Sequence, residues 1–496
     1  MLQSAAWNMA EDRQAENSPA PAGDERARQA IVTKAFYLLR WPLAALAMIV
    51  ALLWPALWNG FPIVFYDTGG YLDAAMSGIL ANGRSTLYGL FLRLGIASGF
   101  WLNIVVQAVA IAWLIAATLR AHGLGGRPAL VLSVTLALAA LTSLPWYAAQ
   151  LMPDVWLPAG TVSLYLLAFR AGAFRPWEKW LLGSVVAFAI AGHMATLVLM
   201  VGLVGALLLW RLLTLRWSWP RPALAKPALS VAAGVLLILT ANLLIAGKFT
   251  FTPGGENFLF GRLVETGIAR HYVADHCPDP KLRVCSFAQE LPDDGDYWLW
   301  GAESPLWRMG GWEEFADEAR HIVLDSLQAY PGLHLRAAAG GAAAQFFMLK
   351  SGDGISPSTW HTHGILEKFA PRWYPTFLAA RQQRTGFDFD RINALHVPVA
   401  LAAILGLPVI VLLSRGRRVR RSAAALSLFV LITLAGNAMI CGVLSSPHDR
   451  YQNRLVWLAP LALVVALAGM RRPVLAADGP HFRRSDAQAS AAGQEA

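Results

Sequence analysis

The fold is decided by an apolar run at residues 180–213, WLLGSVVAFAIAGHMATLVLMVGLVGALLLWRLL. As one helix its 34 residues would measure about 51 Å, whereas the hydrocarbon core of a bilayer is about 30 Å thick. Gly192 and His193 form a polar break near the middle of the run. The run therefore predicts either one strongly tilted helix or two short transmembrane helices that meet at this break.

The whole chain is apolar enough for many such helices. Of its 496 residues 56% are hydrophobic and 15% are charged, against about 25% charged in an ordinary soluble domain. So few charges cannot cover soluble domains, and the composition also excludes disordered, collagen-like and disulfide-dense proteins. Apolar runs of membrane-spanning length predict ten spans, at 35–57, 101–119 (within 87–119), 129–148, 155–171, two within 180–213, 228–246, 395–413, 423–444 and 455–470.

The basic residues decide between nine and ten spans. Lys and Arg cluster before the first span, after the second, fourth, eighth and tenth, and between the sixth and seventh. Short basic loops stay in the cytoplasm, and only ten spans put all these clusters on one side. We therefore predict a plasma (inner) membrane protein with both termini cytoplasmic. The net charge of +10 follows this topology and does not indicate nucleic acid as a partner; the lipid bilayer is the expected one.

The predicted fold is an all-α polytopic membrane protein of about ten helices with one large, mostly helical extracytoplasmic loop. Spans 1–7 occupy 35–247 and include a first outer loop at 58–86; the large loop is 248–394; spans 8–10 occupy 395–470. Residues 1–34 and 471–496 are polar and are predicted to be disordered cytoplasmic tails. Cys277 and Cys285 lie close together in the large loop, which predicts a disulfide in an oxidising compartment, with two free thiols as the alternative.

Ionisable residues near a membrane are costly, so their positions are informative. Asp67, in FYDTGGYL after span one, is a candidate general base or metal ligand; the alternative is an Asp that forms a turn before Gly69. Asp154, in MPDVW, opens span four and is either a site residue or a helix cap. His193, in AIAGHMATL, is either a titratable site residue or a packed core histidine.

The connection between spans nine and ten, SSPHDRYQNR at 445–454, concentrates charge in a short outer turn. It contains His448, Asp449, Arg450 and Arg454. Positive charge on an outer loop runs against the positive-inside bias and requires a local reason. Arginine suits bidentate phosphate binding, so the turn predicts a phosphate site; the alternative is an Arg–Asp pair that contacts phospholipid headgroups.

Together, these features resemble the GT-C superfamily of polytopic glycosyltransferases. Asp67 matches the acidic position in the family's first outer loop, and Asp154 matches a second acidic position. HDRYQNRLVWLAP is similar to the family's Arg-Tyr string and its following proline, through Arg450, Tyr451 and Pro460. The chain departs from the family pattern in two ways: no second acid follows Asp67, and the large loop precedes the last spans.

The resemblance implies transfer of a sugar from a polyprenyl-phosphate donor to an outer glycan, lipid or protein acceptor, with inversion. Asp67 would deprotonate the acceptor hydroxyl. The implied substrate- and phosphate-binding residues are Arg450, His448, Arg454, Asp154 and His193. No cofactor is certain, and the resemblance leaves a divalent cation open.

Two other readings of the chain use lipid-linked saccharides. A lipid-linked glycan polymerase or ligase is favoured if Asp67 lies far from Arg450. Inverted repeats and ionisable groups at the bilayer midplane are typical of a transporter or flippase. Neither pattern is visible in this sequence. A shared site requires that Asp67 and Arg450 lie within two helix diameters, about 20–24 Å.

Overall fold

The structure is a computed structural model that describes residues 22–215, 219–357, 360–414 and 418–470. Helix accounts for 77% of the described residues and no strand occurs among them, which is the all-α class that the apolar runs predict. The chain divides into two units, Met1–Ala47 and Met48–Ala496, and the features below lie in the second. The helices are α1 Ala22–Asn59, α2 Thr68–Ser77, α3 Thr86–Leu94, α4 Trp101–Ala121, α5 Pro128–Leu141, α6 Leu144–Ala148, α7 Trp156–Phe169, α8 Pro176–Gly192, α9 Met194–Leu213, α10 Ala225–Ala246, α11 Gly255–Glu265, α12 Ile268–His276, α13 Gly295–Trp300, α14 Pro305–Arg308, α15 Gly311–Ala329, α16 Pro331–Phe347, α17 Trp360–Phe369, α18 Tyr374–Ala379, α19 Arg381–Arg384, α20 Phe389–Leu413, α21 Arg418–Leu444, α22 Asp449–Val456 and α23 Leu458–Met470.

Seven helical segments among the described residues are long and apolar enough to cross a membrane. A helix satisfies its own backbone hydrogen bonds, which is what a spanning segment in lipid requires. The protein is therefore a multi-pass helical membrane protein. The segments are Leu39–Asn59, Trp101–Ala121, Met194–Leu213, Ala225–Ala246, Phe389–Leu413, Arg421–Leu444 and Asp449–Met470.

The long apolar run at 180–213 is divided in two, at the break that the sequence predicts. Helix α8 ends at Gly192 and α9 begins at Met194. His193 between them has extended backbone angles, and its Nδ1 accepts a hydrogen bond from the Ala195 N–H. The imidazole thereby caps α9 by satisfying one of the amides that a helix start leaves without a partner.

The three remaining predicted spans are short helices in the structure. Helices α5 and α7 have 14 residues each and α8 has 17, which at 1.5 Å per residue gives about 21–26 Å. The run predicted at 129–148 leaves its helix at Leu141. Every residue from Trp156 to Ala168 of α7 is buried, so this helix is apolar on all sides because protein surrounds it.

Two predicted boundaries differ from the structure, and most of the two predicted tails lies outside the described residues. Helix α1 begins at Ala22, within the predicted 1–34 tail. The last membrane segment begins at Asp449, six residues before the predicted 455, because the charged residues of this turn form helical turns with partners inside the protein. The predicted tail residues 1–21 and 471–496 lie outside the described residues.

Residues 255–329 form a helical unit with its own aromatic core. Phe260, Trp298 and Phe315 are buried against one another. Cys277 and Cys285 are joined by the predicted disulfide at the edge of this core. From this unit α16 leads back to the membrane helices, where it packs against α21.

Candidate functional site

Asp67 lies in the segment between α1 and α2, at one end of the membrane helices. This end also carries Asn59, Leu444 and Asp449 and is called the Asp67 end. Ile63 pairs through its backbone with Ala149 and Leu151, at 2.9 and 2.8 Å. The hydroxyl of Thr68 donates to the Leu151 carbonyl. Asp67 occupies the N-cap position of α2 but makes no side-chain bond to that helix, so its carboxylate is free to bind groups elsewhere.

The Asp67 carboxylate lies between two arginines. Its Oδ1 accepts a hydrogen bond from Arg84 Nη2 at 2.5 Å, and its Oδ2 lies 3.4 Å from both terminal nitrogens of Arg450. The Arg84 guanidinium stacks on Trp300 and the Arg450 guanidinium stacks on Phe65. Burial raises the pKa of Asp67, but Arg84 and Arg450 outweigh burial and lower it to about 2. The carboxylate is therefore ionised at neutral pH.

A second ion pair lies in the interior beside this cluster. Arg454 Nη1 donates to Asp154 Oδ1 at 2.9 Å, and the two side chains are 0% and 3% exposed. The 3₁₀ turn Pro153–Val155 presents Asp154, and Arg454 lies within α22. Arg454 was expected to help hold a phosphate and Asp154 to bind substrate; here each is the other's partner, and those roles stay predictions.

His448 connects the 255–329 unit to the start of α22. Its Nε2 lies 2.8 Å from Asp296 Oδ2, and its Nδ1 lies 3.6 Å from Asp353 Oδ2. Asp353 Oδ2 also accepts the Arg450 backbone N–H at 3.0 Å. Burial lowers the pKa of His448, but Asp296 and Asp353 outweigh it and raise the pKa above its ordinary value.

A small cavity links part of this group of charged residues. Asp154, Asp353 and Arg450 are among its lining residues, and Asp67 joins through its contact with Arg450. Burial lowers the pKa of His193 to about 4, with a further contribution from Arg454, so its imidazole is neutral at neutral pH.

The structure brings Asp67 and Arg450 into direct contact. Their separation is well inside the distance that a shared site requires.

The sequence analysis missed two residues of this cluster. Arg84 lies in the predicted first outer loop and breaks the positive-inside bias in the same way as Arg450, so the rule that selected Arg450 could have found it. Asp353 lies between Gly352 and Gly354, which both have positive φ. A Cβ at Gly354 would overlap the Phe65 ring, so glycine is required there, but an acid between two glycines is a weak signal in a sequence.

The arrangement suits anion binding and proton transfer. Guanidinium groups bind phosphate oxygens, and a carboxylate that they release can accept a proton. Within the described ranges no group of three or more His, Cys, Asp or Glu side chains is arranged to hold a metal ion.

Comparison of the chain with protein-family models, with curated proteins and with solved structures finds no match. The likeness to the GT-C superfamily therefore rests on the residues quoted above and on the layout of the chain.

Proposed function

We propose that the protein is an integral membrane glycosyltransferase that moves a sugar from a polyprenyl-phosphate donor to an acceptor hydroxyl. One observation carries the proposal: the Asp67 carboxylate is held between Arg84 and Arg450 at one end of the membrane helices. These three side chains carry one positive charge in excess, while the neighbouring Asp353 faces His448 and the Arg450 backbone N–H. This charge favours an anion such as the phosphate of a lipid-linked sugar.

The reaction would proceed as a single displacement. The donor phosphate binds to Arg84 and Arg450 and replaces the carboxylate as their partner. The acceptor oxygen attacks the anomeric carbon and gives its proton to Asp67, while the bond from that carbon to the phosphate oxygen breaks. The two guanidiniums stabilise the charge that develops on the departing prenyl phosphate.

The pairing with arginine makes the order of binding matter. The two arginines hold the pKa of Asp67 at about 2, which makes the carboxylate a weak base in the free protein. A phosphate bound to the same arginines would offset their charge and raise the pKa of Asp67. The donor therefore binds before the acceptor is activated.

The proposed topology has ten spans, with both termini cytoplasmic in the plasma membrane and the site at the outer face. Support comes from the end of the bundle opposite Asp67. There Arg120, in the last turn of α4, pairs with Glu178 at the start of α8. Arg170, at the end of α7, bonds to Ser422 near the start of α21. These contacts place basic residues together at one end, as the positive-inside bias requires of the cytoplasmic face, and α5, α7 and α8 then serve as short spans.

The test compares Asp67→Asn and Arg450→Gln with Asp73→Asn, a matched control on α2. Asp73 takes no part in the two ion pairs that hold the Asp67 carboxylate. Each protein is reconstituted in vesicles with a panel of short-chain prenyl-phosphate hexoses and pentoses, and released prenyl phosphate is measured. We expect Asp67→Asn to lower turnover by about 10²–10⁴-fold and Arg450→Gln by about 10²–10³-fold, with the control near wild type.

A binding measurement separates the two roles. Short-chain prenyl phosphate without sugar should raise the melting temperature of the wild type and of Asp67→Asn, because the phosphate binds to the arginines. It should not stabilise Arg450→Gln. If Asp67→Asn and Arg450→Gln insert normally and keep full transfer activity, the proposal is wrong.

A further inference from the structure

Helix α16 is unusually apolar for a segment of a soluble loop. From residue 337 to residue 347 it reads AAAGGAAAQFF, and Arg336 is its one formally charged side chain. Every fourth residue from Leu335 is exposed, which places one stripe along the helix. The stripe consists of Leu335, Ala339, Ala343 and Phe347. Leu335 and Phe347 are 72% and 63% exposed, so a long apolar face has no cover from the part of the chain that the structure describes.

This helix packs directly against a membrane-spanning helix. Gly341 of α16 meets Gly442 of α21, and a Cβ added to either would overlap the carbonyl oxygen of the other. Gly442 belongs to the spanning segment Arg421–Leu444. One and two turns earlier in that segment, Met439 and Ala435 are exposed. Because α21 crosses the bilayer, its exposed residues there face lipid, and α16 lies at the edge of that lipid-facing surface.

The contacts at the end of α16 with the start of α22 show where this helix lies relative to the bundle. Gln345 exchanges two hydrogen bonds with the backbone of His448, at 2.7 and 3.0 Å. Just after α16, the Leu349 carbonyl accepts a hydrogen bond from Asn453. Asn453 lies four residues into the spanning segment Asp449–Met470, about 6 Å below its end. The second half of α16 therefore lies beside the Asp67 end of the bundle, and the chain is below that end at Leu349, just after the helix.

We propose that α16 is a membrane-inserted half-helix whose stripe contacts lipid, with Ala339, Ala343 and Phe347 against acyl chains and Leu335 at the headgroup boundary. Three observations meet in this assignment: the uncharged stretch 337–347, the backbone contact with a spanning helix, and the position of Leu349 below the Asp67 end. Arg336, near the start of the helix, fits the headgroup region because arginine extends its charged end toward water. The inference is independent of the proposed enzymatic activity.

Nitroxide labels at single cysteines test the assignment. Ala339→Cys, Ala343→Cys and Phe347→Cys are compared with Leu236→Cys, which is exposed on the spanning helix α10, and Arg320→Cys, which is exposed on α15. The unsubstituted chain reports any labelling of Cys441, which is buried. Collision rates with oxygen, which concentrates in lipid, and with the water-soluble nickel complex NiEDDA are measured in phosphatidylcholine vesicles.

We expect the oxygen-to-nickel ratio at positions 339, 343 and 347 to be several-fold above that at 320 and to approach the ratio at 236. Ratios equal to that at 320 would mean that the stripe faces water and would overturn the assignment. Protection from both reagents together with spin–spin broadening would also overturn it, because a second copy of the chain would then cover the stripe. Three separate label positions keep the test decisive if one substitution prevents folding.

Discussion

The buried ion pair between Asp154 and Arg454 gives the most quantitative test of the interior. Replacing Arg454 with methionine removes the cation but keeps most of the side-chain volume. Asp154, which is 3% exposed, would then be a buried charge without its partner. Loss of one partner of a buried pair costs about 3–5 kcal/mol. We expect Arg454→Met to lower the free energy of unfolding by about this amount.

Two further variants separate the pair from its surroundings. The double variant Asp154→Leu with Arg454→Met removes both charges, and apolar replacement of a whole buried pair is often neutral. It should recover most of the stability that the single variant loses. The matched control is Arg308→Met, which breaks an ion pair with Glu290 whose side chains are 53% and 49% exposed. An exposed pair contributes about 0–1 kcal/mol.

The free energies of unfolding can be measured by SDS titration in mixed micelles, with circular dichroism as the readout of helix. The reasoning fails if Arg454→Met loses no more stability than Arg308→Met. It also fails if the double variant loses the sum of the two single losses, because the two side chains would then act independently.

Three other perturbations test separate parts of the fold. Gly341→Leu should lower the melting temperature in detergent because a side chain there overlaps the α21 backbone, whereas Gly332→Leu, in open space, should be tolerated. Replacing Cys277 and Cys285 with serine should cost about 2–3 kcal/mol for a loop of this length, and reductant should destabilise the wild type but not the variant. Because the folded pKa of His448 is raised, its contribution to stability is present below the ordinary value of about 6.5 and is lost as the pH rises through the folded value. Melting temperatures between about pH 5 and about pH 8 should therefore fall in the wild type and change less in His448→Gln.

The long membrane helices could be predicted from the sequence because each is a continuous apolar run, and the break at His193 was visible as a polar interruption. The short helix α7 and the boundary of α5 were harder to predict. A helix that protein surrounds on all sides does not need the full span of about 20 residues. Residues 144–149 are also apolar, so hydropathy does not distinguish this buried turn from the continuation of a helix.

The site was predictable as single residues but not as pairs. Asp67, Asp154 and Arg450 stand out individually because charge at a membrane boundary is costly. Their pairing is set by the fold, since Asp67 and Arg450 are 383 residues apart in the chain. The start of α22 was predicted as a turn because its charges look unsuitable for a membrane helix, yet each of its arginines finds a carboxylate in the interior.

The two ion-pair clusters differ in a way that bears on function. Arg454 and Asp154 form a closed pair of zero net charge with almost no exposed surface, which leaves no charge for a ligand to neutralise. Asp67 meets two guanidiniums and its side chain is 21% exposed, so these three side chains carry one positive charge in excess, while the neighbouring Asp353 faces His448 and the Arg450 backbone N–H. A network that served only to hold helices together would be expected to end in neutral pairs, because surplus charge near a membrane is costly. The surplus at Arg84 and Arg450 therefore favours an anionic ligand at the Asp67 cluster. A phosphate titration should accordingly be weakened by Arg84→Gln.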